Sequence, residues 1–291
     1  MLKVVSIEFT DLKERTYRIE SYQLQDFFLN GGAEANLIKT KAWNQHGNTF
    51  VNSYMESAEG NLIFALYTAN KSAQQIEDLR REISNICNPL NGVVEMKITL
   101  NNENIYRRDI TFTTAPIFPI GFENRNNQWQ IIQLQYEANN PFWYSDQEIV
   151  ETFQTSIPLF EFPVEFVESG IEFGSYIPSK MVVNNGQVEA PITIIIEGAC
   201  VNPIIENLTT GEMIRFKNLV MTAEDRLLID TSFGNKKVIL NDTKNMFYAL
   251  DFSTTFFHLQ IGENEIDFRD DTLLTPEATI YFIYRNMFHT I

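Results

Sequence analysis

Residues 191–216 read PITIIIEGACVNPIIENLTTGEMIRF, and their punctuation decides how the second half of the chain folds. The isoleucine run Ile192–Ile196 has the length and branching of a strand. Leu208-Thr209-Thr210-Gly211 is a turn between Pro203–Glu206 and Met213–Phe216, which makes a hairpin. The design then repeats. DRLLIDTSFGNKKVILN (225–241) turns at Ser232-Phe233-Gly234-Asn235, and TFFHLQIGENEIDFRD (255–270) turns at Gly262-Glu263-Asn264, with His258 in the strand FFHLQ. A last strand, ATIYFIYRN (278–286), sets Ile280, Phe282 and Tyr284 against Thr279, Tyr281 and Ile283. Short strands at such intervals, without a helix among them, predict an antiparallel sandwich.

The first half carries the same period of two. VVSIEFTD, NTFVNSYME, NLIFALYT, VEMKITLN, DITFTTAPIF and WQIIQLQYEA read as strands. In Val94–Leu100 the even positions are apolar and the odd ones polar, which describes a strand with one wet face. One segment breaks the alternation. KSAQQIEDLRREISNICNP places Ile76, Leu79, Ile83 and Ile86 on one helical stripe, with Ser72 and Gln75 as a capping box and Asn88-Pro89 as the stop. The prediction is a mainly β chain in three parts. Residues 1–146 form an N-terminal β domain with one packed α-helix at 72–87, and residues 147–183 a connector carrying Pro158, Pro163 and Pro178. Residues 184–291 form a C-terminal β-sandwich.

At the join of the first two parts lies NNPFWYSD (139–146), one of the densest aromatic clusters in the chain. Pro141 cannot continue a central strand, and Asp146, Glu148 and Glu151 are the wrong neighbours for a membrane wedge. Pro141, Phe142, Trp143 and Tyr144 are therefore the candidates for a domain seam or interface.

Composition narrows the function. The 291 residues are 44% hydrophobic, which supports real cores, and the net charge of −16 opposes binding to nucleic acid or anionic membranes. No window has 18 uninterrupted apolar residues, and the first residues lack a signal-peptide core. Cys87 and Cys200 have no metal or disulfide spacing and are expected as buried, reduced thiols in a cytoplasmic product. His46, His258 and His289 have no nucleophile elbow beside them, and no Walker loop or GxGxxG is present. Acidic clusters at Glu224-Asp225 and Asp267–Asp271 read as solvated turns. No catalytic residue, cofactor or metal is expected, and the chain reads as a structural or binding protein and not an enzyme.

The order of these segments resembles the siphophage distal tail protein family. Asn184-Asn185-Gly186, Pro191, Gly198, Asn202-Pro203, Asn207, Gly211, Asp230-Thr231, Gly234 and Gly262-Glu263-Asn264 fall where that family's C-terminal domain has turns and strand ends. The helix ending in Asn-Pro and the Pro-Phe-Trp-Tyr-Ser run extend the resemblance to the first half. It implies a galectin-like C-terminal sandwich and an N-terminal domain that forms a homohexameric ring, with rings in some cases paired. It further implies a place at the virion tail tip, after assembly in the host cytoplasm. The implied partners are the tail tube, tape-measure and tail-associated proteins, and receptor-binding proteins. The alternative is a carbohydrate-binding tail-tip protein. Against it, Trp43, Trp129 and Trp143 all precede the second half, which leaves Tyr176, Tyr248, Tyr281 and Tyr284 as platforms. A tail-tip glycoside hydrolase would need a carboxylate pair that one sequence cannot reveal.

Overall fold

A computed structural model describes residues 3–27, 33–68, 73–126, 128–154, 156–158, 174–176, 179–271 and 278–291. The chain divides into two compact units, Met1–Asp146 with Phe288–Ile291, and Gln147–Met287.

The first unit contains β1 (Val4–Asp11), β2 (Thr16–Glu20), β3 (Leu24–Phe27), β4 (Ala35–Thr40), β5 (Thr49–Met55), β6 (Ala58–Tyr67), α1 (Ala73–Ile86), β7 (Val93–Leu100), β8 (Ile105–Phe112), β9 (Trp129–Ala138) and β10 (Trp143–Ser145). Its main sheet has the order β2-β1-β7-β8-β9-β6-β3, and β10 pairs with β8. Alternation does what it promised here. Val94, Met96, Ile98 and Leu100 of β7 are buried, as are Ile132, Leu134 and Tyr136 of β9. Ile83 and Ile86 of α1 join that core, with Leu79 packed at its margin. The capping position Ser72 lies outside the described residues.

The opposite face of the sheet is wet and laced with charge. Arg18, Glu8, Lys97 and Arg107 occupy successive strands on one cross-strand row. Arg18 pairs with Glu8 at 2.9 Å, and Arg107 with Glu95 at 2.7 Å. Lys97 and Arg107 stand directly opposite as like charges, and each is offset by a carboxylate, Glu8 at 4.0 Å from Lys97 and Glu95 beside Arg107. At the end of β1, Asp11 accepts hydrogen bonds from the Lys13 and Arg15 amides at 2.9 and 3.0 Å and pairs with the Arg15 guanidinium at 2.5 Å. Burial pushes this carboxyl up, but the bonds from Arg15 and Lys13 outweigh it and hold it below its ordinary value. A depressed carboxylate contributes stability above its unfolded pKa of about 4 and loses it as pH falls through the folded value. Asp11→Asn should therefore flatten the acid limb of a stability-versus-pH curve and change the neutral limb by a constant offset.

Close packing between β6 and β9 depends on one glycine. Gly60 lies opposite Tyr136, and a Cβ at Gly60 would stand 2.1 Å from Cζ of that buried ring. Gly60→Ala should cost about 1–3 kcal/mol of stability, measurable by thermal unfolding.

The second unit contains β11 (Ile149–Gln154), β12 (Ser156–Pro158), β13 (Gly174–Tyr176), β14 (Ser179–Asn184), β15 (Ile192–Glu197), β16 (Cys200–Val201), β17 (Ile204–Asn207), β18 (Glu212–Arg215), β19 (Val220–Met221), β20 (Arg226–Asp230), β21 (Lys237–Leu240), β22 (Lys244–Asn245), β23 (Gly262–Arg269) and β24 (Thr279–Tyr284), before β25 (Met287–Phe288). Two antiparallel sheets, β11-β24-β15-β20-β21-β22 and β14-β23-β17-β18, form the sandwich. Ile194, Leu227, Val238 and Phe282 from one, and Val182, Ile205, Ile214 and Phe268 from the other, share one core.

Five expectations are corrected here. Residues 147–183 are not simply a connector: β11 is an edge strand paired along its length with β24, and β14 pairs with β23. FFHLQ is not a strand; its one ladder contact is an isolated bridge between Leu259 and Ala190. The turn falls before Gly262, so Gly262-Glu263-Asn264 open β23 instead of closing a hairpin. Asp267, read as part of a solvated turn, is a buried residue of β23, and burial raises its carboxyl. The phenylalanines at 160, 162, 166 and 173 lie outside the described residues. Finally, Phe288–Ile291 belong to the first unit, not to the sandwich.

Candidate assembly surface

Among the described residues no group of three or more His, Cys, Asp or Glu is placed to hold a metal. His46 lies in the loop after β4, His258 in the second unit, and His289 near the C-terminus. Cys87 and Cys200 are unpaired and buried, and burial pushes both thiols up, Cys200 to about 12. Neither is a thiolate nucleophile. No helix of the described residues is long and apolar enough to cross a membrane.

The feature that asks for a partner is the hairpin of β4 and β5. It is a separate two-stranded sheet, paired from Ala35↔Met55 to Thr40↔Thr49 with a bulge between Ile38 and Lys39. Its sequences ANLIKT and TFVNSYM are rich in branched and aromatic residues, which favour extended backbone. The loop between them closes with Asn44 and Gly47 at φ 62° and 78°, conformations that asparagine and glycine tolerate. The Gln45 side chain accepts from the Ala42 amide at 2.9 Å and donates to Thr49 at 2.8 Å.

Every residue of both strands is exposed. Leu37, Ile38, Phe50, Val51, Tyr54 and Met55 face solvent, and Trp43 near the tip is 95% exposed. An isolated two-stranded ribbon is marginal in water, and apolar side chains on a solvated ribbon mark a surface that is normally covered. Its charge is also opposite to that of the chain. Residues 35–55 contain Lys39 and Lys41 and no Asp or Glu, within a protein of net charge −16. NTFVNSYME showed a strand in the sequence; nothing in it showed that the strand leaves the sheet.

The aromatic cluster at 141–144 has a different setting. Trp143 is fully buried in the core of the first unit, with the Arg108 guanidinium 4.1 Å over its ring. Arg108 donates to the Pro141 carbonyl, and the Phe142 amide donates to Asn140 Oδ1 at 3.1 Å. The Tyr144 hydroxyl donates to Asp109 at 3.0 Å. Burial pushes Arg108 down to about 10 and Tyr136 up to about 12. Arg108 Nε and Nη1, Tyr136 Oη and Trp143 Nε1 have no hydrogen-bond partner among the described residues. Trp143 thus packs in the core, while Pro141, Phe142 and Tyr144 are half-buried beside it.

Residues 185–286 match the family model described as siphovirus-type tail component, C-terminal domain. A search of curated protein sequences gave no match. Among solved structures the chain is similar to the Dit (gp 19.1) protein of phage SPP1, titled a paradigm of the hub adsorption apparatus in phages infecting Gram-positive bacteria. The TM-score is 0.63 at 12% identity, covering 97% of this chain and 99% of that one. A chain of the phage P2 baseplate in its activated conformation with calcium gives a TM-score of 0.50 at 11% identity, covering 98% of each chain.

Proposed function

We propose, from the premise that residues 185–286 carry a siphovirus-type tail component C-terminal domain, that this chain is a structural hub at the distal end of a long non-contractile phage tail. Six copies form a ring through their first units. The ring joins the tail tube, with its tape-measure and tail-associated proteins, to the tail-tip and receptor-binding proteins. It is assembled in the host cytoplasm and resides in the virion. Similarity to a hub protein over nearly the whole chain supports the reading.

The observation that carries self-assembly is the β4–β5 hairpin. An apolar ribbon whose strands and tip carry Lys39 and Lys41, with Glu34 and Glu56 confined to its base, complements the acidic surface of a second copy. Such a contact works between identical chains because each copy has both the ribbon and the acidic remainder.

Native mass spectrometry with negative-stain microscopy tests this on the purified chain. A hexamer with six-fold rings is expected, weakening as salt rises because the complementary charges are screened. A monomer at every concentration and ionic strength would remove the proposal.

A further inference from the structure

The second unit presents an aromatic ring beside polar groups already fixed in place. Phe233, in the turn between β20 and β21, is 78% exposed. Its ring meets the ring of His258 edge to face at 4.4 Å. His258 is buried, and its Nε2 lies 3.1 Å from the Thr231 carbonyl, so that nitrogen carries the proton and donates. Its other nitrogen, Nδ1, stands 3.9 Å from Glu189 Oε2. The half-exposed Glu189 carboxylate also accepts from Gln260 Nε2 at 2.8 Å. Gln260 is held in turn by Asn264, which accepts from its amide at 2.8 Å and donates to its carbonyl at 2.9 Å.

A flat apolar face next to rigid planar acceptors is what a sugar ring requires. Its C–H face stacks on the aromatic ring, and its hydroxyls donate to carboxylate and amide oxygens whose positions cost no further ordering. A patch for a protein partner would instead continue as apolar surface around Phe233, whereas here its neighbour is a histidine tied into a carboxylate–amide cluster. A second aromatic pair flanks the same turn. Lys236, in the same turn as Phe233, lies 5.2 Å over the Phe256 ring, and Phe256 packs on Phe247 at 5.8 Å.

Charge selects among glycans. Residues 147–287 contain 21 Asp and Glu against 9 Lys and Arg, so an anionic polymer would be repelled. We propose that Phe233, His258, Glu189 and Gln260 form a shallow site for a neutral glycan. The tyrosines singled out from the sequence do not form it. Tyr284 is buried, with its hydroxyl donated to the Val183 carbonyl, and the side chain of Tyr176 lies outside the described residues.

Saturation-transfer NMR of the full chain with lactose, cellobiose and N,N′-diacetylchitobiose, and with sialyllactose as an anionic control, tests the site. An open site binds one disaccharide with Kd on the order of 1 mM. Transfer to at least one neutral disaccharide is expected, falling about fivefold in Phe233→Ala and in Glu189→Gln. Phe233 is exposed, so its replacement leaves the fold intact. No transfer to any neutral sugar, equal transfer in both variants, or transfer to sialyllactose alone would each overturn the proposal. Hexamer mass, read on the same samples, separates the two proposals. An intact ring without a sugar signal removes only this site, and a sugar signal without a ring removes only the hub.

Discussion

Trp143→Ala should destabilise the first unit by about 3–5 kcal/mol, the range for deleting a large aromatic side chain from a packed core. Three losses coincide at this position. The indole of Trp143 is fully buried, it carries the stacked guanidinium of Arg108, and it fixes the strand whose next residue pairs with Arg107. Removing the ring leaves Arg108 buried with Nε and Nη1 still unpartnered and its cation–π contact gone. Trp143→Phe keeps an aromatic face under the cation and should cost clearly less. Differential scanning calorimetry distinguishes the two variants. A midpoint within 1–2 °C of the parent for the alanine variant, equivalent to about 0.5 kcal/mol or less at this chain length, would mean that the segment does not close the core.

Leu37→Glu combined with Phe50→Glu should abolish the proposed ring and leave the monomer folded. Both side chains are exposed, so each change should move the stability of the chain by no more than about 0.5 kcal/mol. In the assembly each removes an apolar contact worth about 1.5–3 kcal/mol and places a negative charge on a ribbon whose strands and tip had only positive ones. Together they should weaken association by more than about 100-fold, readable by sedimentation velocity. A double variant that still sediments as a hexamer would take the hairpin out of the interface. A variant with a collapsed thermal midpoint would show that the ribbon packs on its own chain.

Alternation in the sequence reported burial faithfully within the main sheet of the first unit, and pairing less so. β1 and β9 fall on the segments VVSIEFTD and WQIIQLQYEA because each strand has one dry face and neighbours on both sides. FFHLQ has buried Phe257 and Leu259 two residues apart, which in sequence is indistinguishable from a strand. Its backbone nonetheless finds a single bridge, because whether a neighbouring strand is present is decided by distant residues. β11 failed in the other direction. As an edge strand it makes hydrogen bonds on one side, and its sequence IVETFQ has too little contrast to stand out. Detachment of the β4–β5 hairpin from the sheet was equally illegible, since TFVNSYM would suit a sheet interior. The candidate sugar site was hidden for a related reason. Glu189, Phe233 and His258 come from three separate loop segments, and no spacing along the chain announces that they meet.

The return of Phe288–Ile291 to the first unit has a further consequence. Ser145 is the ladder partner of Tyr106, and the Phe288 ring packs edge to face on that same tyrosine at 5.3 Å. The chain therefore leaves and re-enters one framework at one residue, and everything between is a cassette spliced into a continuous host fold. Trimming the protein from its C-terminus would strip the host before it reached the cassette. Joining residue 146 to residue 288 by a short flexible link would instead excise the cassette whole. A foreign domain with adjacent termini could be grafted at the same point, which makes the Tyr106 junction a natural place for such a chain to exchange its inserted unit while keeping its framework.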